Sequence, residues 1–262
     1  MYSFWDILEV IRGTWDPASL TAPSSFWRRP MIEIRKSAER GHADHGWLDS
    51  YHTFSFADYH DPNHMQFGSL RVINEDRVQP GQGFGTHSHR DMEILSYVLE
   101  GSLSHSDNMG KSMILRPGDV QRMTAGTGVT HSESNPSGTE EVHFLQIWIL
   151  PRTTGLRPGY EQRHFSRNDK RNHLCLVASP EGAIGSLTLH QDVRLYATIL
   201  EDGGQITFDP GKGRRQYLQV AKGSCHLNGM ELRDGDGAGI SGEPSLLLSG
   251  NPGAELLLFD LA

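Results

Sequence analysis

The chain has few cysteines, no long apolar run and no excess of positive charge. Cys175 and Cys225 are too few for a disulfide framework and lack a zinc-ribbon spacing, which favours a reducing cytoplasm. No apolar run approaches the roughly 18 residues of a membrane span. Asp6 and Glu9 interrupt the only apolar stretch that could serve as a signal peptide. The net charge of −8 argues against direct binding to nucleic acid.

Glycine, in contrast, is abundant. The chain has 29 glycines and 13 prolines in 262 residues, and glycine therefore exceeds its average share of roughly 7%. Short apolar segments alternate with turn signals, and the clearest strands are predicted at residues 67–74, 94–99, 112–116, 120–124 and 142–150. This rhythm predicts an all-β protein built as a barrel or sandwich.

The same rhythm recurs after a break, which predicts two domains. Residues 151–165 are polar and contain two prolines and two glycines, so we expect a linker between a domain at 31–150 and a second at 166–262. Segments 97–105 and 218–227 share a strand–glycine–strand pattern, a weak internal repeat that suggests two duplicated barrels. Residues 1–30 are predicted to be an appendage of uncertain role, with a short helix at 4–11. The alternative is that translation begins at Met31.

Two short motifs within residues 81–135 point to a metal site. His87 and His89 follow one glycine-rich turn, and His131 and Glu133 follow another. Residues i and i+2 of a strand point to the same face, so each motif can project two donors into one cavity. Three imidazoles and a carboxylate suit iron, copper, nickel, manganese or zinc. The corresponding part of the second copy lacks such ligands, so its barrel is predicted to hold no metal.

Other polar residues near these motifs are given supporting roles. Glu93 is an even number of residues from His87 and His89, so it would share their strand face, and we expect it to orient a histidine. His105 lies on a polar strand and is predicted to be exposed. His143 either lines the interior or makes a hydrogen bond in the core. The upstream histidines have no ligand-like spacing and are predicted to make ordinary hydrogen bonds; they are His42, His45, His52, His60 and His64.

Several of these segments together resemble a known family. The stretches G-F-G-T-H-S-H-R-D-M-E, Y-V-L-E-G, M-T-A-G-T-G-V-T-H-S-E and L-Q-I-W-I are similar to those of the pirin family in the cupin superfamily, and especially to its bacterial quercetin 2,3-dioxygenase-like branch. The resemblance covers about residues 31–262. It implies a bicupin fold, metal ligands His87, His89, His131 and Glu133, and a C-terminal cupin without metal.

The resemblance also implies an activity. The expected enzyme is a metal-dependent dioxygenase that cleaves a flavonol such as quercetin with dioxygen and releases carbon monoxide. Iron(II) is the favoured metal, with copper, nickel, manganese, cobalt or zinc as alternatives. Glu133 is expected to accept the substrate's hydroxyl proton. One alternative is a metal- or redox-sensing regulatory protein that acts through a protein partner, since animal relatives of the family are linked to transcription regulators. Another is a different cupin chemistry, such as isomerisation, on an unknown substrate.

Overall fold

A computed structural model describes residues 31–201 and 203–262 of the chain. The appendage and short helix predicted within residues 1–30 lie outside the described residues. The prediction of an all-β fold is confirmed, because strands dominate and the α-helix at Arg167–Lys170 has four residues. In the part of the chain that the structure describes, no helix is long and apolar enough to cross a membrane.

Strands β1 to β11 occupy the first half of the described chain: β1 Met31–Arg35, β2 Gly41–Asp44, β3 Leu48–His52, β4 Leu70–Val78, β5 Gly83–His89, β6 Glu93–Glu100, β7 Leu103–Asp107, β8 Ser112–Leu115, β9 Asp119–Thr124, β10 Val129–Ser134 and β11 Val142–Ile149. The second half contains β12 Gly159–His164, β13 Cys175–Ser179, β14 Leu187–Thr188, β15 Val193–Leu200, β16 Gln205–Phe208, β17 Arg215–Lys222, β18 Ser224–Leu227, β19 Met230–Arg233, β20 Gly237–Ser241, β21 Leu246–Gly250 and β22 Ala254–Leu261. Short 3-10 turns lie at Ser37–Glu39 and Ala183–Gly185.

The described strands form two barrels, each made of a seven-stranded and a four-stranded sheet. In the N-terminal barrel the order β12-β9-β6-β11-β4-β3-β2 faces β5-β10-β7-β8, and in the C-terminal barrel β1-β20-β17-β22-β15-β13-β14 faces β16-β21-β18-β19. Apolar side chains fill the space between the two sheets of each barrel. This arrangement confirms the predicted bicupin fold.

The barrels exchange segments across the predicted domain boundaries. Strand β1, which we placed with residues 31–150, pairs antiparallel with β20 of the C-terminal barrel. The predicted linker, 151–165, is not structureless, because it contains β12, which pairs with β9 of the N-terminal barrel. Each barrel is therefore closed at one edge by a strand from the other half of the sequence, a pairing that local composition does not reveal. The boundaries of the domains themselves stay predictions.

The central strand β11 is apolar on both faces because both faces are buried. Leu145, Ile147 and Ile149 belong to the core that joins the two barrels, whereas Phe144 and Trp148 point into the N-terminal barrel. Burial of such side chains contributes about 1.5–3 kcal/mol each. The joint between the barrels is therefore an apolar core, and it holds the inward face of this sheet in place.

A buried polar group also crosses this joint. Lys170 donates to Glu255 Oε1 at 2.6 Å and to the Tyr97 hydroxyl at 2.8 Å. Lys170 is 4% exposed, and Tyr97 is 1% exposed. Because the ammonium, the carboxylate and the phenol are withdrawn from water together, each needs the others as hydrogen-bond partners.

Candidate metal centre

Strands β5 and β10 bring three histidines into one cluster. His131 lies directly opposite His87 in the antiparallel register, and His89 follows two residues after His87 on the same face. The ring centroids lie 4.4 Å apart for His87 and His131, 4.7 Å for His87 and His89, and 4.9 Å for His89 and His131. One ring nitrogen from each histidine lies within 4.8 Å of the others. The structure thus brings together three of the four residues predicted as ligands.

The three imidazoles fit a metal by their chemistry. Burial lowers the pKa of His87, and burial followed by the charge of His87 lowers the pKa of His89 to about 3. Burial likewise lowers the pKa of His131 well below its usual range. The rings are therefore neutral near pH 7, and a neutral ring keeps a lone pair for a metal. His131 Nε2 is buried without a hydrogen-bond partner among the described residues, which a bound cation would explain.

Glu133 lies beside this cluster, held by three donors from the opposite sheet. Its Oε1 accepts from Ser96 Oγ at 3.0 Å and from Gln121 Nε2 at 2.9 Å, and its Oε2 accepts from Gln146 Nε2. Burial raises the pKa of Glu133, whereas His105 and these three hydrogen bonds oppose the rise. The three donors favour the ionised form.

The structure groups Glu133 differently from the other predicted ligands. Its carboxylate shares a tight group with His105 and His131, rather than with His87 and His89. A β-bulge separates the two positions, because Glu133 pairs with Phe84 whereas His131 pairs with His87. Such bulges change the direction of side chains and are common next to active sites. His131 therefore belongs to both groups and links the histidine cluster to the carboxylate.

The prediction that His105 is exposed was wrong. The residue is fully buried, because β7 lies between β8 and β10 and places His105 opposite Glu133. Leu103, two residues earlier on the same strand face, is also fully buried. That alternation was a signal in the sequence, but the serines at positions 104 and 106 made the strand look polar on both faces.

His105 connects a buried carboxylate to the cluster. Its Nε2 lies 3.1 Å from Asp107 Oδ2, and its Nδ1 lies 3.4 Å from His131 Nδ1. A carboxylate only accepts, so His105 donates from Nε2 and its Nδ1 accepts from His131 Nδ1. His131 Nε2 then carries the lone pair. On the other side, His87 Nδ1 lies 2.8 Å from the Gly85 carbonyl and donates to it, which leaves its Nε2 free of the proton.

The remaining predicted roles have mixed outcomes. Glu93 faces the other barrel, where its carboxylate lies 3.3 Å from His190 Nδ1, so the prediction that it orients a histidine of the cluster was wrong. His143 makes a core hydrogen bond to Glu75 at 3.0 Å, one of the two alternatives. Of the upstream histidines, His42 and His64 make ordinary contacts at 2.6 Å with Asp49 and Asp61.

The histidine cluster opens onto a cavity of about 350 Å³. Apolar and aromatic walls come from residues that include Leu48, Phe56, Phe84 and Trp148. A polar wall comes from β3 and β4 and includes Ser50, His52, Asn74 and Asp76. The volume lies in the range of small-molecule sites. His42, His45 and His52 also line the cavity, a role that their spacing in the sequence did not reveal.

Two antiparallel barrels in one chain, with a histidine cluster inside the N-terminal barrel, define a bicupin. Family models match the chain as pirin over residues 33–149 and as the quercetinase C-terminal cupin domain over residues 176–261. The chain belongs to the pirin family. Among the described residues, both groups of potential metal ligands lie in the N-terminal barrel.

Named relatives are similar over most of the chain. Quercetin 2,3-dioxygenase of Escherichia coli K12 is 50% identical over 231 residues, which cover 88% of this chain and 99% of the relative. A pirin-like protein of Caulobacter vibrioides is 40% identical over 88% of this chain and all of the relative. The crystal structure of the bacterial pirin YhhW of E. coli in complex with nickel(II) is 49% identical, with a TM-score of 0.84 over 88% of this chain and 99% of YhhW.

Proposed function

We propose that this protein is a metal-dependent dioxygenase that cleaves a flavonol such as quercetin and releases carbon monoxide. The observation that carries the proposal is the opening of three neutral imidazoles, of which His89 and His131 are buried and His87 is half-buried, onto an aromatic-walled cavity of small-molecule size. The similarity to the E. coli quercetin 2,3-dioxygenase supports the choice of substrate. Dioxygen is the co-substrate.

The proposed metal ligands are His87, His89, His131 and Glu133. Three imidazoles and a carboxylate suit iron(II), which we favour, and also copper, nickel, manganese, cobalt or zinc. The nickel(II) complex of YhhW supports the binding of a divalent metal by a protein of this fold. When bound, an iron(II) ion would supply Lewis acidity towards the flavonol oxygens and redox chemistry towards dioxygen.

The protein's own residues bind and position the substrate. Phe56 and Trp148 pack edge to face at 5.4 Å, and Trp148 packs against His89 at 5.0 Å. A planar aromatic ligand can pack against these rings next to the cluster. The buried donors Ser96, Gln121 and Gln146 hold the Glu133 carboxylate in one orientation. A carboxylate held in this way is pre-organised before the substrate binds.

The test is aerobic incubation of the iron-loaded protein with quercetin. We expect loss of the flavonol absorbance and release of carbon monoxide in equal amounts, and we expect neither with His89→Ala. His64→Ala is a matched control, because His64 contacts Asp61 outside the cavity. If the iron-loaded wild type releases no carbon monoxide and leaves the flavonol intact, the proposed activity is wrong.

Metal analysis of protein purified without chelators or a nickel column would identify the bound ion. The cytoplasmic location and the regulatory alternative stay predictions. A pull-down with wild type and His89→Ala separates the regulatory role from the enzyme, because a metal-dependent partner in the absence of turnover would favour a sensor.

A further inference from the structure

A second polar group lies on the cavity wall, apart from the histidine cluster. Ser50 on β3 pairs in register with Asp76 on β4. The Ser50 hydroxyl donates to Asp76 Oδ1 at 2.5 Å, and the same hydroxyl oxygen lies 2.9 Å from His52 Nε2. All three side chains line the cavity. The exposed fractions of Ser50, His52 and Asp76 are 3–4%.

The hydrogen bonds in this group run in one direction, from His52 to Ser50 and from Ser50 to Asp76. The single proton of the Ser50 hydroxyl is given to Asp76, so the serine oxygen accepts from His52 Nε2–H. His52 Nδ1 then has no proton, and it is buried without a hydrogen-bond partner among the described residues. Burial, followed by the charge of Arg40, lowers the pKa of His52 to about 4. The imidazole is therefore neutral near pH 7 and supplies no charge to stabilise an ionised Asp76.

Asp76 has fewer hydrogen-bond donors than Glu133 among the described residues. Both carboxyl groups are buried, but within residues 31–201 and 203–262 Glu133 accepts hydrogen bonds from three side-chain donors, whereas Asp76 accepts one, from Ser50. Donated hydrogen bonds stabilise the ionised form and lower the affinity of a carboxylate for a proton. Burial raises the pKa of Asp76 to about 7, and the Ser50 hydrogen bond opposes that rise.

The charged groups around Asp76 act in the same direction. Glu133, Glu75 and Asp49 each raise its pKa, in that order after burial. Glu75, the neighbour on β4, is itself paired with Arg40 at 2.9 Å, and Asp49 on β3 lies 2.6 Å from His42. Arg40 and His42 are thus already paired with other carboxylates, and among the described residues Asp76 forms no ion pair with a basic side chain.

We infer that Asp76 accepts the proton of the substrate's acidic hydroxyl group in the cavity. This inference rests on the proposed function for the identity of the substrate. The O–H bond of the flavonol hydroxyl breaks, the proton bonds to an Asp76 carboxylate oxygen, and the electron pair stays on the flavonol oxygen. Nothing is oxidised or reduced in this step. Glu133 then does not have to act as both metal ligand and base, and it stays ionised as a ligand.

The test observes the proton transfer directly, by the absorbance of quercetin bound without dioxygen. The ionised flavonol absorbs at longer wavelength than the neutral one. The metal-free protein isolates the contribution of the side chains, because a metal would itself acidify the hydroxyl. Near neutral pH, where free quercetin is still largely neutral, we expect the wild type to bind the anion and Asp76→Asn to bind the neutral form.

Two further variants separate Asp76 from the other carboxylates. Asp49→Asn removes a neighbouring charge that does not line the cavity, and Glu133→Gln removes the alternative base; both should still bind the anion. Asp76→Glu should restore part of the anion signal. Thermal melts establish that each variant is folded. The anion in Asp76→Asn, its loss in Glu133→Gln, or the absence of any anion in the wild type would overturn the inference.

Turnover distinguishes this inference from the proposed function. With the iron-loaded protein, we expect Asp76→Asn to lower kcat/KM by about 10²–10⁴-fold, the usual contribution of a general base. If the wild type binds the anion but releases no carbon monoxide on aeration, the proposed activity fails and the role of Asp76 stands. If Asp76→Asn turns over at the wild-type rate, the activity stands and the role of Asp76 fails.

Discussion

Replacing Asp76 by asparagine should make the stability of the metal-free protein less sensitive to pH. The native-state pKa of Asp76 is raised from 3.8 to about 7, with burial as the main cause. Between these two values the native state binds a proton that the unfolded chain has lost, so the wild type loses stability as pH rises. Each pKa unit corresponds to about 1.4 kcal/mol. Between pH 3.8 and about pH 7, the wild type therefore loses about 4 kcal/mol of its free energy of unfolding.

The amide side chain of the Asp76→Asn variant has no proton to lose, so the variant avoids this loss of stability. The free energy of unfolding of Asp76→Asn, minus that of the wild type, should rise from about pH 4 to about pH 7 and then level off. Urea denaturation followed by circular dichroism, repeated at a series of pH values, measures this difference. If this difference in unfolding free energy stays constant from about pH 4 to about pH 7, the raised pKa of Asp76 is not the cause of the pH dependence.

Glu75, on the same strand, provides a control, because its pKa is lowered in the native state whereas the pKa of Asp76 is raised. Burial alone would raise its pKa, but the hydrogen bond from His143 and the charge of Arg40 outweigh burial and lower the pKa from 4.5 to about 2. Its contribution to stability is present above about pH 4.5 and is lost as pH falls towards 2. Glu75→Gln should therefore be most destabilising at neutral pH, and its deficit should shrink in acid.

Two other predictions concern the hydrogen bonds around the cluster and the joint between the barrels. His105→Phe removes the group that accepts from His131 Nδ1, so metal affinity measured by chelator competition should fall by about 10–100-fold, whereas His143→Phe should leave it nearly unchanged. Lys170→Met leaves the Glu255 carboxylate at the joint without its cation, so urea denaturation should show a loss of about 3–5 kcal/mol. Lys222→Met, which removes an exposed ion pair, should cost less than about 1 kcal/mol; equal losses for the two lysines would contradict the buried role.

The metal-site motifs could be found in the sequence because their geometry is local. His87 and His89 are two residues apart on one strand, and the side chains of a strand alternate between its faces. The partner motif follows the same rule on β10. The turn signals between short apolar segments likewise predicted the all-β fold. No knowledge of distant contacts was needed for either.

The polar residues that support the site were harder to find. Ser96 and Gln146 each stand in a mostly apolar strand, which is a signal of a buried partner that could have been used, whereas Gln121 lies in the mostly polar strand β9 and gave no such signal. Their shared partner, Glu133, could not be read from that signal. The hydrogen bonds depend on the register of β6, β9 and β11 and on the packing of that sheet against β10.

The sequence by itself determined the strand pattern and the donor pairs of the N-terminal barrel, because a period of two is a property of neighbouring residues. Tertiary structure alone decided that His105 is buried beside Glu133, that Asp76 lies on the cavity wall with one donor, and that β1 and β12 join the opposite barrels. Those features depend on which strands pair and in which register. Side-chain partners far apart in the chain meet only after the sheets have formed and packed.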